Sequence, residues 1–498
     1  METILNVFSL SHLLVIVIGV FFGAILGALP GVGTILALTL ALPFTFALEP
    51  STAIALLLAI YASSIYGGSI SAVLINAPGT PQSAATCLDG YPLSQQGKAH
   101  IALGWVTSAS AFGGLVSVVL LVLLAPQLAK ISKSFGPVEI FALLIFALVC
   151  VSVASRESSM KGLVAVLAGL FLAMIGIDPM TGDIRYTFGF FELSAGIQFI
   201  PVLVGLFAIS EVLVLVSKRK KQTQQRQTGR LAIFVPGPSD WLKHLKTLLK
   251  SAGIGSFFGL LPGPGALISS FVAYSEAKRS SFEPEKFGHG AEEGLIASES
   301  ANNAVTGGAM IPTLSLGIPG DAATAVMLTA LMIHGVAPGP QLFEQNTALV
   351  WNIMGSLAVV NLVMLVIGLL CIPAFSSILR VPKSFLVPTI LLLSVAGTFA
   401  LRQSYFDLMT MLVAGTVGYL LRKAEFPLAP IVIGLILGAR LELSLRQGLI
   451  LTNESLVAFL HSPIALCLLL AAGALIAREV LRTILSLRKI GRPLPRNG

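Results

Sequence analysis

The sequence predicts an all-α polytopic membrane protein made of two inverted-topology repeats with broken or re-entrant helices, followed by one C-terminal span. Three observations carry this. Of 498 residues, 55% are apolar and only 11% charged, with a mean hydropathy of +0.91, more hydrocarbon than soluble domains enclose. Apolar runs long enough to cross a hydrocarbon core of about 30 Å, which takes roughly 20 helical residues, tile nearly the whole chain. A glycine- and proline-rich interruption near the N-terminus returns after a basic segment at the midpoint.

The first run follows METILNVFSLSH, which lacks the basic residues and small-residue cleavage site of a secretory signal peptide, so it is expected to be retained as a span. Spans are expected near 10–29, 32–48, 52–76, 101–126, 137–155, 160–177 and 196–217. SKRKKQTQQRQTGR, Ser217 to Arg230, is too basic and glutamine-rich for a bilayer, and a short stretch around Trp241 reads as interfacial. Further spans are expected near 250–275, 293–317, 321–336, 348–375, 384–401, 405–422, 427–445 and 463–485, with 321–336 short enough to be re-entrant. The division is therefore a first repeat over 1–217, a basic cytoplasmic linker over 218–246, a second repeat over 247–445, and an extra span with a basic tail over 446–498. Cys87, Cys150, Cys371 and Cys467 have no metal-ligand spacing and read as small core residues.

The repeat rests on three echoes. GAILGALPGVG (Gly23 to Gly33) and GSFFGLLPGPG (Gly255 to Gly265) share six of eleven positions. YGGSISAVLINAPGTP (Tyr66 to Pro81) is answered by TGGAMIPTLSLGIPGD (Thr306 to Asp321), pairing Gly67-Gly68 with Gly307-Gly308 and Pro78-Gly79 with Pro319-Gly320, with spacing that differs by one residue. PVLVG (Pro201 to Gly205) resembles PIVIG (Pro430 to Gly434). Together they define a duplication over roughly 15–217 and 247–445.

Orientation follows from positive charge. Lys218, Arg219, Lys220, Lys221, Arg226 and Arg230 in the linker, and Arg478, Arg482, Arg488, Lys489, Arg492 and Arg496 in the tail, place both segments in the cytoplasm. The N-terminus has no such residue before the first run and is placed outside, so an odd number of crossings separates it from the linker. An odd repeat is inverted in its second copy. Lys130 and Lys133 then face outside. The net charge of +8 suits the anionic cytoplasmic leaflet, and no aromatic-interleaved basic patch points to nucleic acid.

Paired Gly/Pro interruptions in an inverted duplication point to the binding site of a secondary transporter. A break at LPGVG leaves peptide N–H groups unpaired at the start of the next segment, where the helix dipole favours an anion, and frees carbonyls at the end of the preceding one, which suit Na⁺ near Gly31 and Gly263. The competing reading is that these residues only allow close helix packing. Backbone at Pro30, Gly31, Gly33, Gly79, Pro262, Gly263, Gly265 and Gly320 is thus a candidate contact for substrate or ion. So are the side chains of Ser64, Ser69, Asn76, Thr80 and Gln82 in the first half and Glu299, Asn302, Asn303, Thr306, Asp321 and Thr324 in the second. Glu299 and Asp321 stand out because carboxylates inside spans are rare. Their plainer readings are an interfacial charge for Glu299 and a helix N-cap for Asp321.

Other charges carry less. Glu211, Arg440 and Glu442 are expected to pair with one another or reach an interface, and Lys98, Lys278 and Arg279 read first as topology signals rather than anion attractors. The six histidines form no HExxH, no P-loop occurs, and Asp321 has no partner aspartate in a comparable motif, which argues against a metalloprotease, an ATPase and an aspartyl protease. No catalytic residue is assigned, and the protein is read as a non-enzyme. A channel shares the glycine-rich re-entrant backbone and remains the alternative, with a stand-alone ion-coupled carrier beside it.

GALPGVG, YGGSISAVLINAPGTP, GLLPGPG, SESANNAVTGGAMIPTLSLGIPGD and HGVAPGPQLF resemble the large membrane subunit of the tripartite tricarboxylate transporters, the TctA family, over essentially the whole chain. The resemblance implies a multi-pass permease of the bacterial inner membrane, acting with a small membrane subunit and a periplasmic solute-binding protein. It implies carboxylate import by symport, with Na⁺ or H⁺ as coupling ion and no other cofactor. In SESANNA, Ser298 stands where the family pattern places a proline, which bears on where the helix around Glu299 starts.

The topology is checked by labelling single cysteines. A thiol introduced at Thr3 is expected to react from outside and one at Gln224 only after permeabilisation; labelling of both from one side removes the inversion.

Overall fold

The computed structural model describes residues 6–153, 159–178, 180–217, 232–263, 265–378, 383–455 and 457–490. The basic linker 218–230 and the tail from 491 onward, which carry the orientation argument, lie outside the described residues. The chain runs through α1 (Leu10–Ala28), α2 (Gly33–Ala41), α3 (Pro50–Ile75), α4 (Cys87–Gln95), α5 (Ala99–Ser132), α6 (Pro137–Val153) and α7 (Ser159–Ala173). A hairpin of strands β1 (Gly176–Ile177) and β2 (Ile184–Arg185) and helix α8 (Phe199–Ser217) close the first half. Then follow α9 (Pro238–Leu260), α10 (Gly265–Ser280), α11 (Glu292–Leu316), α12 (Ala322–Ile333), α13 (Thr347–Leu370), α14 (Lys383–Arg402), α15 (Tyr405–Lys423), α16 (Ala429–Leu451) and α17 (Pro463–Ile490). Among the described residues, α1, α3, α5, α8, α13, α14 and α17 are long and apolar enough to cross a membrane. The protein is an all-α polytopic membrane protein, with the hairpin as a small addition the sequence did not announce.

Contacts divide the chain into a larger unit, Met1–Ser132 with Ile200–Leu420, and a smaller one, Lys133–Phe199 with Leu421–Gly498. This cut follows packing and is independent of the repeat boundaries. In the larger unit the most extensive helix pairings are α5 with α11, α1 with α3, and α9 with α11. Helix α3 is buried without interruption from Leu57 to Leu74, and α11 from Gly294 to Ser315. A helix enclosed on all sides is usually apolar all round. α11 instead carries Glu299, Asn302, Asn303 and Thr306 inside the unit, so their polar groups need internal partners.

Small residues explain how such helices pack. A Cβ on Gly23 would collide with the Ile60 backbone, one on Gly27 with Ser64, and one on Gly67 with Ala24; in the second half Gly255 meets Ala301, Gly259 meets Val305, and Gly308 meets Ser256. The α1–α3 and α9–α11 pairs therefore touch backbone to backbone at equivalent places. This register corrects the sequence pairing: Gly67 corresponds to Gly308 and Gly68 to Ala309, and the spacing to Pro78-Gly79 and Pro319-Gly320 becomes identical. The tandem glycines of α11 serve two neighbours, Gly308 lying against α9 and Gly307 against Ser117 of α5.

Other expectations change as well. The span expected over 250–275 is two helices, α9 and α10, separated at 261–264, because Gly263 has a φ of 129° that a continuing helix cannot hold. Trp241 sits inside α9 and packs on Trp105 at 6.1 Å, so the surrounding stretch is the start of that helix and not a segment of its own. None of the cysteines is fully buried and Cys467 is exposed, which overturns their reading as core residues.

In the smaller unit α7 and α16 meet at Gly169 and Gly434, each pressed against the other helix's backbone. The hairpin is held by charge. Asp178 accepts the N–H groups of Met180 at 2.8 Å and Thr181 at 3.1 Å, which hold its carboxyl below the usual carboxylate range and shape the turn. Arg185 grips Glu442 through both guanidinium nitrogens and reaches Asp178 at 2.9 Å, while Arg446 bridges Asp178 at 2.8 Å and Glu442 at 2.6 Å. Glu442 thus pairs with Arg185 and Arg446, not with Arg440 or Glu211 as the sequence suggested.

Two glycines of α9 separate packing from propensity. Gly255→Ala is expected to destabilise by about 1–3 kcal/mol through backbone overlap, whereas Gly253, with open space beside it, is expected to become about 1 kcal/mol more helix-favouring as alanine. Thermal unfolding of the two purified variants checks this; equal melting points count against the packing account.

Candidate functional site

The first break, between α1 and α2, turns at Gly31 and Gly33, whose φ angles of 94° and 68° lie in the left-handed region that favours glycine. Pro78-Gly79, on the loop leaving α3, is pressed against it: a Cβ on Gly79 would overlap the carbonyl of Gly27. The second break is built alike. Gly263 donates its N–H to the carbonyl of Gly320 at 3.0 Å, and a Cβ on Gly320 would come within 2.8 Å of the Gly259 carbonyl. Each break is thus covered by the proline-glycine loop that follows the enclosed helix of its own half. Pro30 is exposed and Pro262 half-buried, while Gly265 packs on Phe258. Glu211 lies against the first break, where a Cβ on Gly31 would stand 3.0 Å from its Oε1.

The enclosed helices end alike too. α3 stops at Asn76 (φ 52°) and α11 at Gly317 (φ 68°), both left-handed C-caps. Asn76 is therefore a helix terminator with an exposed side chain. Beyond it, the Thr80 and Ser83 hydroxyls pair at 2.8 Å, and at the equivalent place in the second half Asp321 caps α12. Its Oδ1 accepts the Thr324 N–H at 2.7 Å, and its own N–H donates to Thr324 Oγ1 at 2.9 Å. The capping reading of Asp321 holds, with two additions: Thr324, read as a candidate ligand, is its partner in the cap, and Tyr61 of α3 donates its hydroxyl to Asp321 Oδ2 at 2.7 Å.

Glu299 is not interfacial. It is 0% exposed in the middle of α11, a helix that begins at Glu292 and runs unbroken through Ser298. Its Oε1 accepts from Ser69 of α3 at 2.6 Å and from Thr86, and its Oε2 accepts from Ser110 of α5 at 2.9 Å. The donors are neutral hydroxyls, and no described ion pair includes Glu299. Leaving a buried charge without a cationic partner costs several kcal/mol even after relaxation (roughly,). The Asn302 amide adjoins the carboxylate without meeting hydrogen-bond geometry.

The remaining sequence candidates divide. Asn302, Asn303 Oδ1 and Gln82 Oε1 are buried without a hydrogen-bond partner among the described residues, and Asn303 Nδ2 reaches Met364 Sδ at 3.6 Å. Ser64 donates to the Tyr61 carbonyl at 3.1 Å and Thr306 to the Asn303 carbonyl at 2.7 Å, satisfying themselves on their own helices. Lys98 lines a cavity of about 510 Å³ with Lys243 and Lys286 but also Glu283, Glu292 and Glu293, so the charge there is mixed and makes no anion funnel. Tyr61, Ser83, Thr86 and Ser110 were missed from the sequence, and Glu211, noted there only as an intramembrane charge, lies against the first break. Ser83 had a signal, since Thr80-x-x-Ser83 mirrors Asp321-x-x-Thr324, and Tyr61 stands opposite Asn302 once the register is set by Gly67 and Gly308; Ser110 is a hydroxyl in an apolar run and Thr86 one in a turn, which nothing in the sequence singles out.

Residues 13–433 match the family described as "Tripartite tricarboxylate transporter TctA family". A 52.8 kDa protein of the TAR-I ttuC' 3' region of Agrobacterium vitis is 35% identical over 473 residues, 95% of this chain and 93% of that protein. A protein of the TAR-II ttuC' 3' region of the same organism is 36% identical over 215 residues, 43% of this chain and 89% of that protein. No solved structure matches.

Asp321 and Tyr61 can be dissected together. Asp321→Ala is expected to lose about 1 kcal/mol of capping and a further 1–3 kcal/mol or so from the unsatisfied Tyr61 hydroxyl. Tyr61→Phe in the Asp321→Ala background is expected to recover the second part. If the double variant melts no higher than Asp321→Ala, the hydroxyl contact carries no weight.

Proposed function

Because the chain belongs to the TctA family of tripartite tricarboxylate transporters, we propose that it is the permease subunit that imports tricarboxylates or related organic acids by cation symport. In this reading it sits in the bacterial inner membrane and works with a small membrane subunit. A periplasmic solute-binding protein delivers the substrate. The observation that supports the reading best is the pair of equivalent breaks, each covered by a proline-glycine loop. At such a break the first N–H groups of the following helix, α2 or α10, lack intrahelical acceptors and offer an anion both hydrogen bonds and the positive end of a dipole. Carbonyls left without intrahelical donors at the ends of α1 and α9 would suit a coupling Na⁺.

Irregular backbone at membrane depth persists only where it is buried in protein or lines a cavity. Two such places in an inverted repeat would let one half rock against the other around a fixed site, the arrangement expected of alternating access. The recognition of carboxylate then falls to backbone N–H groups and to the Asn302 amide, whose Nδ2 is a buried donor without a hydrogen-bond partner among the described residues.

The test is reconstitution of this chain with its small membrane subunit and binding protein in liposomes. Labelled carboxylates, citrate first and then di- and tricarboxylates in turn, are offered under imposed Na⁺ or H⁺ gradients. Saturable accumulation that needs both the binding protein and a gradient is expected. Non-saturating flux down the substrate gradient would make the protein a channel, and full-rate uptake without the binding protein would remove its tripartite role.

A further inference from the structure

We propose that Glu299 is a proton-carrying site and that Ser69, Ser83 and Thr80 form the hydroxyl relay that joins it to the first break. This deepens the transport reading above and rests on it for the use to which the proton is put.

The relay is continuous in the structure. Glu299 Oε1 lies 2.6 Å from Ser69 Oγ, Ser69 Oγ lies 3.0 Å from Ser83 Oγ, and Ser83 Oγ lies 2.8 Å from Thr80 Oγ1. Glu299, Ser69 and Ser83 are 0% exposed and Thr80 is 1% exposed, whereas Pro78 and Pro81 on either side of Thr80 are exposed. The chain thus leads from an enclosed carboxylate to a point beside accessible loop residues. Gly68 makes room for it, since a Cβ there would come within 2.8 Å of Ser83 Oγ and closer still to Thr80.

Each hydroxyl can donate one hydrogen and accept another, which is the requirement for passing a proton along a row. With its one hydrogen on Glu299 Oε1, Ser69 Oγ is left to accept from Ser83, and Ser83 from Thr80; in this orientation a proton arriving on Thr80 Oγ1 releases the Thr80 hydrogen to Ser83. Ser83 passes its own to Ser69, and Ser69 passes its own to Glu299 Oε1. The carboxylate becomes a neutral carboxyl, every hydroxyl keeps one hydrogen, and the row now points the other way. Return of the proton along the reversed row restores the start.

Among the described residues no cation pairs with the carboxylate, and the Asn302 amide beside it is neutral. Its titratable neighbours are Tyr66 of α3, whose hydroxyl pairs with Thr107 of α5 at 2.9 Å, and Cys87 at the start of α4. Several other groups on the helices packed against α11 are engaged elsewhere or exposed. Asp89 of α4 accepts the N–H groups of Gly288, Gly290 and Ala291, and His244 of α9 packs on Trp105. Lys250 of α9 pairs with Glu276 of α10, Lys130 of α5 is exposed, and Asp321 caps α12. Thr86 and Ser110 add neutral donors only.

Infrared difference spectroscopy on the full chain in nanodiscs tests this without any substrate. Acidification is expected to produce a protonated-carboxyl C=O band that is missing in Glu299→Gln. In D₂O its exchange is expected to slow about tenfold in Ser83→Ala, a barrier change of about 1.4 kcal/mol, and to stay at the wild-type rate in Thr80→Ser, which keeps the hydroxyl. An identical titration in Glu299→Gln, or loss of the band on adding Na⁺ at constant pH, overturns the proton site; wild-type exchange in Ser83→Ala overturns the relay. Failure of the reconstituted transport assay would sink the transport reading and leave these spectra unchanged.

Discussion

Backbone meets backbone at Gly27 and Gly67 and again at Gly259 and Gly308, and the larger unit depends on that approach. Between spanning helices there is little hydrophobic driving force, because lipid tails are as apolar as leucine; dispersion and hydrogen bonding at short range must do the holding. Only residues without a side chain bring main chains that close. Once α1 lies on α3 and α9 on α11, the loops after α3 and α11 fall directly over the two breaks, and Gly79 and Gly320 are the residues that fit there.

The same closeness makes a polar interior tolerable. Helix α11 is enclosed from Gly294 to Ser315 and still carries a carboxylate and two asparagines. Its carboxylate is satisfied by hydroxyls from α3 and α5 and from Thr86, of which Ser110 is brought in where Gly113 and Gly307 let α5 lie against α11. The asparagines are less well served, and a buried amide without a partner costs about 1–3 kcal/mol. Fold stability does not call for such groups, which is the physical ground for reading them as binding groups.

The smaller unit uses a different device. A hairpin with two-residue strands has almost no ladder of its own, so Asp178, Arg185, Glu442 and Arg446 tie it to α16. Two carboxylates and two guanidiniums shared in one network satisfy each other's remaining donors and acceptors, which a single pair would not.

Hydropathy and repeated motifs determined the membrane-embedded helical class and the places where helices break, because these depend on local backbone preference and on the number of apolar residues in a row. They also marked Glu299 and Asp321 as unusual. What they left open was decided by tertiary packing. A carboxylate reads the same in sequence whether it caps a helix or sits in its middle, and the difference lies in Ser69, Ser110 and Tyr61, which come from helices distant in the chain. The register of the repeat was likewise misread by one residue, since two adjacent glycines look alike until Gly307 is seen against α5 and Gly308 against α9. Composition sets where a chain can break and what it can bury; which polar groups meet depends on which backbones come close enough to bring them together.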